Sequence, residues 1–543
     1  MTQTITAIDW GIIAVYLVFL IVFAVWLSRS QDSREDYYVG GRSVGAWPVA
    51  ISIMATQCST NSILGAPAFV AFTAAGGLVW LQYELAVPLA MIVLMLFAMP
   101  LFRHMRLVSV YEYLERRFDL KTRLVLSGLF LFVRAFATAV TVYSIAIVIQ
   151  LITGLSLFWA VMLLGMFTVI YDVFGGIRGV IYSDVLQLFI LVAVLVLVAA
   201  YLVHDSGGLG ALWSSFDTER RQALDFSHHG LGDGQTFAFW PMLFGGLFLY
   251  VSYYGCDQSQ VQRQLSTKNI DATNTALLIN GLLRFPLVAL YCFVGVGIAV
   301  YAGINANFVD SLPITNGTPE YNLAVPLYMI NNLPVGLVGL GLVALFAAAM
   351  SSLDSVLNSL SATTMEDFVR RFHRGQWSPH KELIYSRVIT AIWGTTTLAM
   401  AFTVDDIAPT VLEAINKIGS LANGPILAAF TLGFFTRAAN GTGAVTGLVV
   451  GILMNAACWL LLPQLSWLWW NVSGFAVTYC CGILISKLAA TPHRIPVLEE
   501  DTLESSIKQF LKTEAAINWY RRSLWLGFWF LLLLATLAFL SYI

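Results

Sequence analysis

AWPVAISIMATQCSTNSILGAPAFVAF, residues 46–72, is long and apolar enough to cross a bilayer, yet its middle is polar. From Thr56 to Gly65 it carries six hydroxyl or amide side chains, those of Thr56, Gln57, Ser59, Thr60, Asn61 and Ser62. A spanning helix takes about 20 mostly apolar residues. Polar groups at lipid depth are tolerated where they line a cavity or a packed protein interior. The stretch therefore predicts a helix interrupted near mid-membrane; the plainer alternative is that its Ser and Thr merely glue packed helices together. A second stretch repeats the anomaly: YVSYYGCDQSQVQ, residues 250–262, brings Gly255, Asp257 and Gln258 into an apolar helix.

Working outward, 58% of the 543 residues are hydrophobic and only 11% charged, a balance that places the chain in a bilayer. Fourteen spans are expected, at 9–28, 46–72, 77–103, 122–153, 156–176, 178–204, 235–260, 271–303, 334–365, 383–404, 407–436, 441–462, 464–487 and 516–541. The loops leave no room for a second globular domain. The first run follows Met1 to Asp9, which holds no Lys or Arg, and no small-residue cleavage site follows it, so it reads as a span and not a signal peptide. Of 29 Lys and Arg, 24 sort to one side of these spans, Arg220 and Arg221 to the other, and Arg134, Arg284 and Lys417 remain inside. By the positive-inside rule the rich side is cytoplasmic and both termini face out, which fits a multi-pass protein of a bacterial inner membrane. Basic residues beside spans and a net charge of −2 exclude nucleic acid as a sensible partner, and no obligatory protein partner is evident. The six cysteines have no metal-ligand spacing and read as packing residues, with Cys58 the exception to watch.

The two interrupted spans are five helices apart, so they cross in opposite directions. That is the arithmetic of a five-plus-five inverted repeat, with the first repeat at 46–204 and the second at 235–436. The span at 9–28 is then an extra N-terminal helix, 441–543 holds additional C-terminal helices, and 1–543 is a single transporter domain. In such repeats the broken helices free carbonyls and half-helix ends to bind ions and solute. The ninth segment supplies a partner: FAAAMSSLDSVLNSLSATT, residues 346–364, sets 348, 351, 352 and 355 on one helical face. Hydroxyls and freed carbonyls are hard oxygen ligands suited to an alkali cation. Asp354 lies about 100° away from that stripe and flanks it.

These stretches, with EDYYVGGR at 35–42, SVYEYLERRF at 109–118, FGGIRGVIYSDVLQ at 174–187, DQSQVQR at 257–263 and GPILAAFTLGFFTR at 424–437, resemble the sodium/solute symporter family over nearly the whole chain. The resemblance implies an all-α integral membrane protein of the LeuT type, working by alternating access as a symporter and not as an enzyme, with sodium as the coupling ion. It implies a first sodium site made by the carbonyls of Ala55, Cys58 and Ala348 and the hydroxyls of Ser351 and Ser352. A second site maps onto Asp184, Ser351, Asp354 and Ser355. There the chain departs from the family's sialic-acid-transporting branch, since Asp354 replaces a hydroxyl residue; the extra carboxylate strengthens the site, takes a proton or forms a salt bridge. The alternative for Asp184 is an ion pair with Arg178.

The implied solute cavity draws on Gln57, Ser59 and Ser62, on Tyr83 and Glu84, on Asp257 and on Asn416, each able to fix a polar ligand in an apolar cleft. Glu84 falls where the sugar-transporting branch has a sugar-binding glutamate. Arg134, about 16 Å into its helix, must pair with either a solute carboxylate or a protein acid, of which Asp172 is the expected one. For Arg284 and Lys417, snorkelling or pairing with an acid is the simpler reading. The solute is thus expected to be a small polar organic molecule, a sugar, sugar acid or sialic-acid-like compound, with a monocarboxylate or other organic anion as the alternative. A membrane sensor would need an output partner that the 488–515 stretch is too short to supply.

Overall fold

The computed structural model describes residues 5–58, 60–315, 317–373, 375, 377–403, 411–489 and 503–542. Both anomalous stretches are broken helices. Ala46–Gln57 (α1) ends at Cys58, whose φ of −79° and ψ of 61° leave the helix, and Thr60–Phe72 (α2) resumes it. Gly246–Cys256 (α3) ends at Asp257, with φ −89° and ψ 124°, and Gln258–Leu265 (α4) begins there, the Asp257 carboxylate accepting from the Ser259 amide at 2.9 Å. At each break backbone groups lose their helical partners.

Around these breaks stand the long helices: Ala7–Ser28, Leu120–Thr153, Leu157–Asp205, Ile270–Ile304, Leu337–Thr363 and Pro379–Ala401, followed by Val411–Phe435, Gly441–Leu461, Trp469–Leu488 and Glu514–Tyr542. The 49-residue run Leu157–Asp205 would reach about 73 Å if straight, more than twice the roughly 30 Å hydrocarbon core. It is divided at Gly176, where φ is 53° and ψ −162°, so it matches the two spans expected at 156–176 and 178–204. Among the described residues ten helices are long and apolar enough to cross a membrane. Fewer than fourteen qualify because each broken helix falls short, the Gly176-divided pair counts once, and Pro379–Ala401 is the less apolar helix.

Ala46–Gln57 and Leu337–Thr363 both pack on Leu157–Asp205, while Ile270–Ile304 lies along Thr60–Phe72. The outer helices bare aliphatic and aromatic side chains, Val15, Phe19 and Val22 near one terminus and Leu524, Phe528 and Leu531 near the other, as a lipid-facing surface requires. Asp9 ties the first helix to the bundle: it closes the capping box with Thr6 and its Oδ1 accepts the Gly336 and Gly339 amides, each at 2.8 Å. Near the C-terminus Gly443, Gly447 and Gly451 lie directly against the 474–486 backbone. A Cβ on Gly447 would stand 2.6 Å from the Thr478 carbonyl oxygen, the close approach that small residues permit in membranes.

Candidate functional site

The break at Cys58 faces the small-residue side of Leu337–Thr363. Ser351 Oγ donates to the Ala348 carbonyl at 3.1 Å and reaches the Ala55 carbonyl at 3.4 Å. Ser352 Oγ reaches the carbonyls of Ala348 at 3.3 Å and Thr56 at 3.4 Å. Four of the five expected ligand oxygens are thus linked in a chain, Ala55 to Ser351 to Ala348 to Ser352, with steps of 3.1 to 3.4 Å, and Cys58 sits at the adjoining break. Around a cation with ligands at about 2.4 Å, neighbouring oxygens at right angles stand about 3.4 Å apart. The hydroxyl-to-carbonyl bonds therefore hold the oxygens at the spacing an ion would need.

One turn further on, the second expected cluster is also assembled, but around a residue that the loop sorting treats as cytoplasmic. Arg263, fully buried, donates from Nε to Ser52 Oγ at 2.7 Å, bonds Asp184 Oδ2 at 3.3 Å and contacts Ser355 Oγ. Ser52 in turn donates to Asp184 Oδ2 at 2.6 Å. Ser355 Oγ lies 2.9 Å from Thr56 Oγ1 and 3.1 Å from Asp354 Oδ1, and Asp354 accepts the Tyr171 hydroxyl. Asp184 thus pairs with Arg263; Arg178 spends its guanidinium on the Gly40 carbonyl at 3.1 and 2.9 Å. Asp172, Asp184 and Asp354 are all fully buried, and Arg263 is the guanidinium in their midst. Among the described residues Asp184 Oδ1 and both oxygens of Asp172 have no hydrogen-bond partner. Three buried carboxyls beside one guanidinium must be neutralised, by protons or by a bound cation.

Beside these clusters lies a cavity of about 720 Å³. Of the expected solute contacts, Gln57, Ser62, Tyr83, Glu84, Arg134 and Asp257 line it. Ser59 and the Asn416 side chain lie outside the described residues; Asn423, two turns beyond Asn416 on the same helix, does line the cavity. Two ion pairs divide the wall. Arg284 Nε meets Glu84 Oε2 at 3.1 Å, with 6% and 2% of the side chains exposed, while Tyr250 donates to Glu84 Oε1 at 3.2 Å and Arg284 Nη1 to Cys58 Sγ at 3.0 Å. Each Glu84 oxygen therefore already has a partner within the wall, and the Arg284 pairing expected from sequence is present. Arg134 pairs with Asp257 and not with Asp172, because the break at residue 257 turns that carboxylate toward Arg134. This second pair is 24% and 13% exposed, and its guanidinium carbon stands 5.1 Å from the Tyr253 ring centroid.

Arg263 is what reading the sequence missed. It sits on Gln258–Leu265, a helix with four glutamines that is buried on every side. A polar helix ordinarily faces water; its one signal is position, immediately after a break in an apolar span.

The cavity lining reaches Pro319–Asn322, Phe237, Trp467 and Thr73, at the same end of the bundle as Arg220, which donates to the Val70 and Thr73 carbonyls at 3.2 and 3.0 Å. At the opposite, arginine-rich end the segments are tied together: the Val44 amide donates to the Ser266 carbonyl at 3.0 Å, and Arg42 Nη2 donates to the carbonyls of Arg106 and Leu107, each at 2.9 Å.

Comparison with known proteins agrees with this geometry. The chain is 28% identical over 502 residues to the sodium/sialic acid symporter SiaT of Proteus mirabilis, covering 92% of this chain and 98% of the relative. It is 29% identical over 490 residues to the sodium/sialic acid symporter NanT of Aliivibrio fischeri, covering 90% and 94%. A solved structure of a Na+-coupled sialic acid symporter, substrate-bound and outward-open, superposes with a TM-score of 0.80 at 25% identity, covering 89% of this chain and 98% of that one. The sodium:solute symporter family model matches residues 37–451, so the chain belongs to the sodium:solute symporter family and is a sodium-coupled membrane transporter.

Proposed function

We propose that the protein imports a small hydroxylated solute bearing a carboxylate, sugar-acid or sialic-acid-like in character, down the sodium gradient. The observation that carries this reading is the inequality of the two ion pairs in the cavity. Glu84–Arg284 is sealed, whereas Arg134 keeps a quarter of its side chain exposed beside Asp257. A solute carboxylate can share that guanidinium in a bidentate fork, while Gln57, Ser62 and Asn423 supply hydrogen-bonding partners for its hydroxyls. The names of SiaT and NanT, acid transporters both, support the same class. Uptake of a neutral sugar is the second reading, favoured by the fact that both cavity arginines already have carboxylate partners.

Sodium binds first at Ala55, Cys58, Ala348, Ser351 and Ser352, bridging the break to the opposing helix, and so fixes the half-helix that bears Ser62 on the solute cavity. Asp184, Asp354 and Ser355 form a second cation site, in which Arg263 supplies the charge that a departing ion leaves uncompensated. The chain crosses an inner membrane fourteen times with both termini outside, and the segments 46–204 and 235–436 act as inverted repeats. In that orientation the cavity opens outward and the arginine-rich end is the closed cytoplasmic gate. Alternating access then consists of closing the outer mouth and parting Val44 from Ser266.

The test is a thermal-shift screen of the purified full chain against neutral sugars, uronates, sialic acids and simple carboxylates, in sodium and in potassium. Stabilisation by hydroxylated acids in sodium only is the expected result. Equal stabilisation by neutral sugars would overturn the acid assignment, and equal stabilisation in potassium would overturn the ion sites.

A further inference from the structure

A second cavity, of about 380 Å³, lies at the arginine-rich end and takes no part in the sites above. Three segments that are distant in sequence build it: the 33–42 turn, residues 103–106 and Lys268. Its charged lining is Arg42, Arg103, Arg106 and Lys268 against Glu35 and Asp36. Both acids are engaged, Glu35 with Arg42 Nε at 2.9 Å and Asp36 with the Ser33 hydroxyl at 2.7 Å. Arg103 spends a hydrogen bond on Thr267 Oγ1 at 3.0 Å, and among the described residues Arg103, Arg106 and Lys268 form no ion pair with a carboxylate. The cavity thus holds two positive charges more than its own acids balance.

Its backbone is unusual as well. Among the described residues three non-glycine residues have left-handed φ, Arg42 at 52°, Ala75 at 53° and Arg106 at 50°, and two of the three are in this cavity. They are joined, because Arg42 donates to the Arg106 carbonyl. Gly40 and Gly41 precede Arg42 in the same conformation, at 59° and 58°, so three consecutive residues curl under its guanidinium. Retention of basic loops on the cytoplasmic side requires charge alone, neither a cavity nor strain. Strained arginines converging on an unneutralised hollow have the character of a ligand clamp, and guanidinium forks match the oxygens of a phosphate group.

We propose that this cavity binds a phosphate group, either a soluble phosphate anion or the headgroup of an anionic phospholipid, between Arg103, Arg106 and Lys268.

Two probes separate the sources: inorganic phosphate, titrated into the detergent-solubilised full chain against chloride at matched ionic strength, and phosphatidylglycerol, compared with phosphatidylcholine by native mass spectrometry. The variant is R106Q/K268Q, whose exposed side chains make no hydrogen bond among the described residues; its integrity is read from sodium-induced thermal stabilisation. Charge-retaining R106K/K268R is the control. Saturable phosphate binding, weakened about tenfold or more in R106Q/K268Q and kept in R106K/K268R, supports a soluble-anion site. Selective phosphatidylglycerol retention with the same variant pattern supports a headgroup site. Binding of neither probe, or binding unchanged in R106Q/K268Q, overturns the proposal.

Discussion

At the scale of single residues, what distinguishes the two candidate cation clusters is whether their oxygens are free to turn to an ion. Ser351 and Ser352 bond backbone carbonyls that are themselves ligand candidates, so an ion replaces those bonds without stranding a charge. Ser351→Ala or Ser352→Ala should therefore weaken sodium activation of solute counterflow about tenfold or more, with little change in the thermal stability of the sodium-free protein; an unchanged sodium dependence would remove those hydroxyls from the site. The cavity's ion pairs make a sharper contrast. Glu84→Gln leaves Arg284 buried without its carboxylate and should cost stability of about 3–5 kcal/mol, seen as a large fall in melting temperature with or without solute. Arg134→Gln combined with Asp257→Asn removes both charges of the more exposed pair together, so the fold should survive. The double variant is expected to lose uptake of acidic solutes while a neutral sugar, if transported at all, is unaffected; equal loss of both would mean that the pair is structural.

At the scale of elements, three breaks decide the architecture. Those at Cys58 and Asp257 lie in polar stretches of sequence and release backbone groups from helical bonding. The third, at Gly176, is steric: φ 53° with ψ −162° is a conformation for which glycine is suited, and an added Cβ would stand 2.8 Å from both the Tyr37 carbonyl oxygen and its ring. Gly176→Ala should accordingly cost about 1–3 kcal/mol, measured as a fall in melting temperature, and should disturb the 33–42 turn that packs on it. A substitution at Gly128, where an added Cβ meets nothing within 4 Å, is the matched control and should be nearly silent.

At the scale of the whole molecule, the candidate solute cavity extends to the end of the bundle that holds Arg220, and hydrogen bonds such as Val44 to Ser266 tie the arginine-rich end together. Ser62 lies half-buried along that cavity, so Ser62→Cys should react with a membrane-impermeant thiol reagent added outside right-side-out vesicles, and a bound solute should slow the reaction. Reaction only from the cytoplasmic side would reverse the orientation assigned to the bundle. Among the native cysteines Cys256 lines the same cavity, Cys480 is exposed and Cys481 is partly exposed, so the measurement needs these three replaced first.

Much of this was legible in residue order alone. The run from Thr56 to Gly65 announced a broken helix because a polar decapeptide at lipid depth has few physical outcomes, and the 348, 351, 352, 355 spacing placed four oxygen donors on one face because helical periodicity is local. Partners across the bundle were another matter. Arg134 met Asp257 in place of Asp172, and Asp184 met Arg263 in place of Arg178, since which charges pair is set by how helices far apart in sequence rotate and approach. The sequence by itself determined a membrane bundle interrupted at two polar breaks, through hydropathy and periodicity. Only the tertiary structure decided that Glu84 is sealed and Arg134 accessible, because desolvation and pairing depend on neighbours that no local pattern specifies.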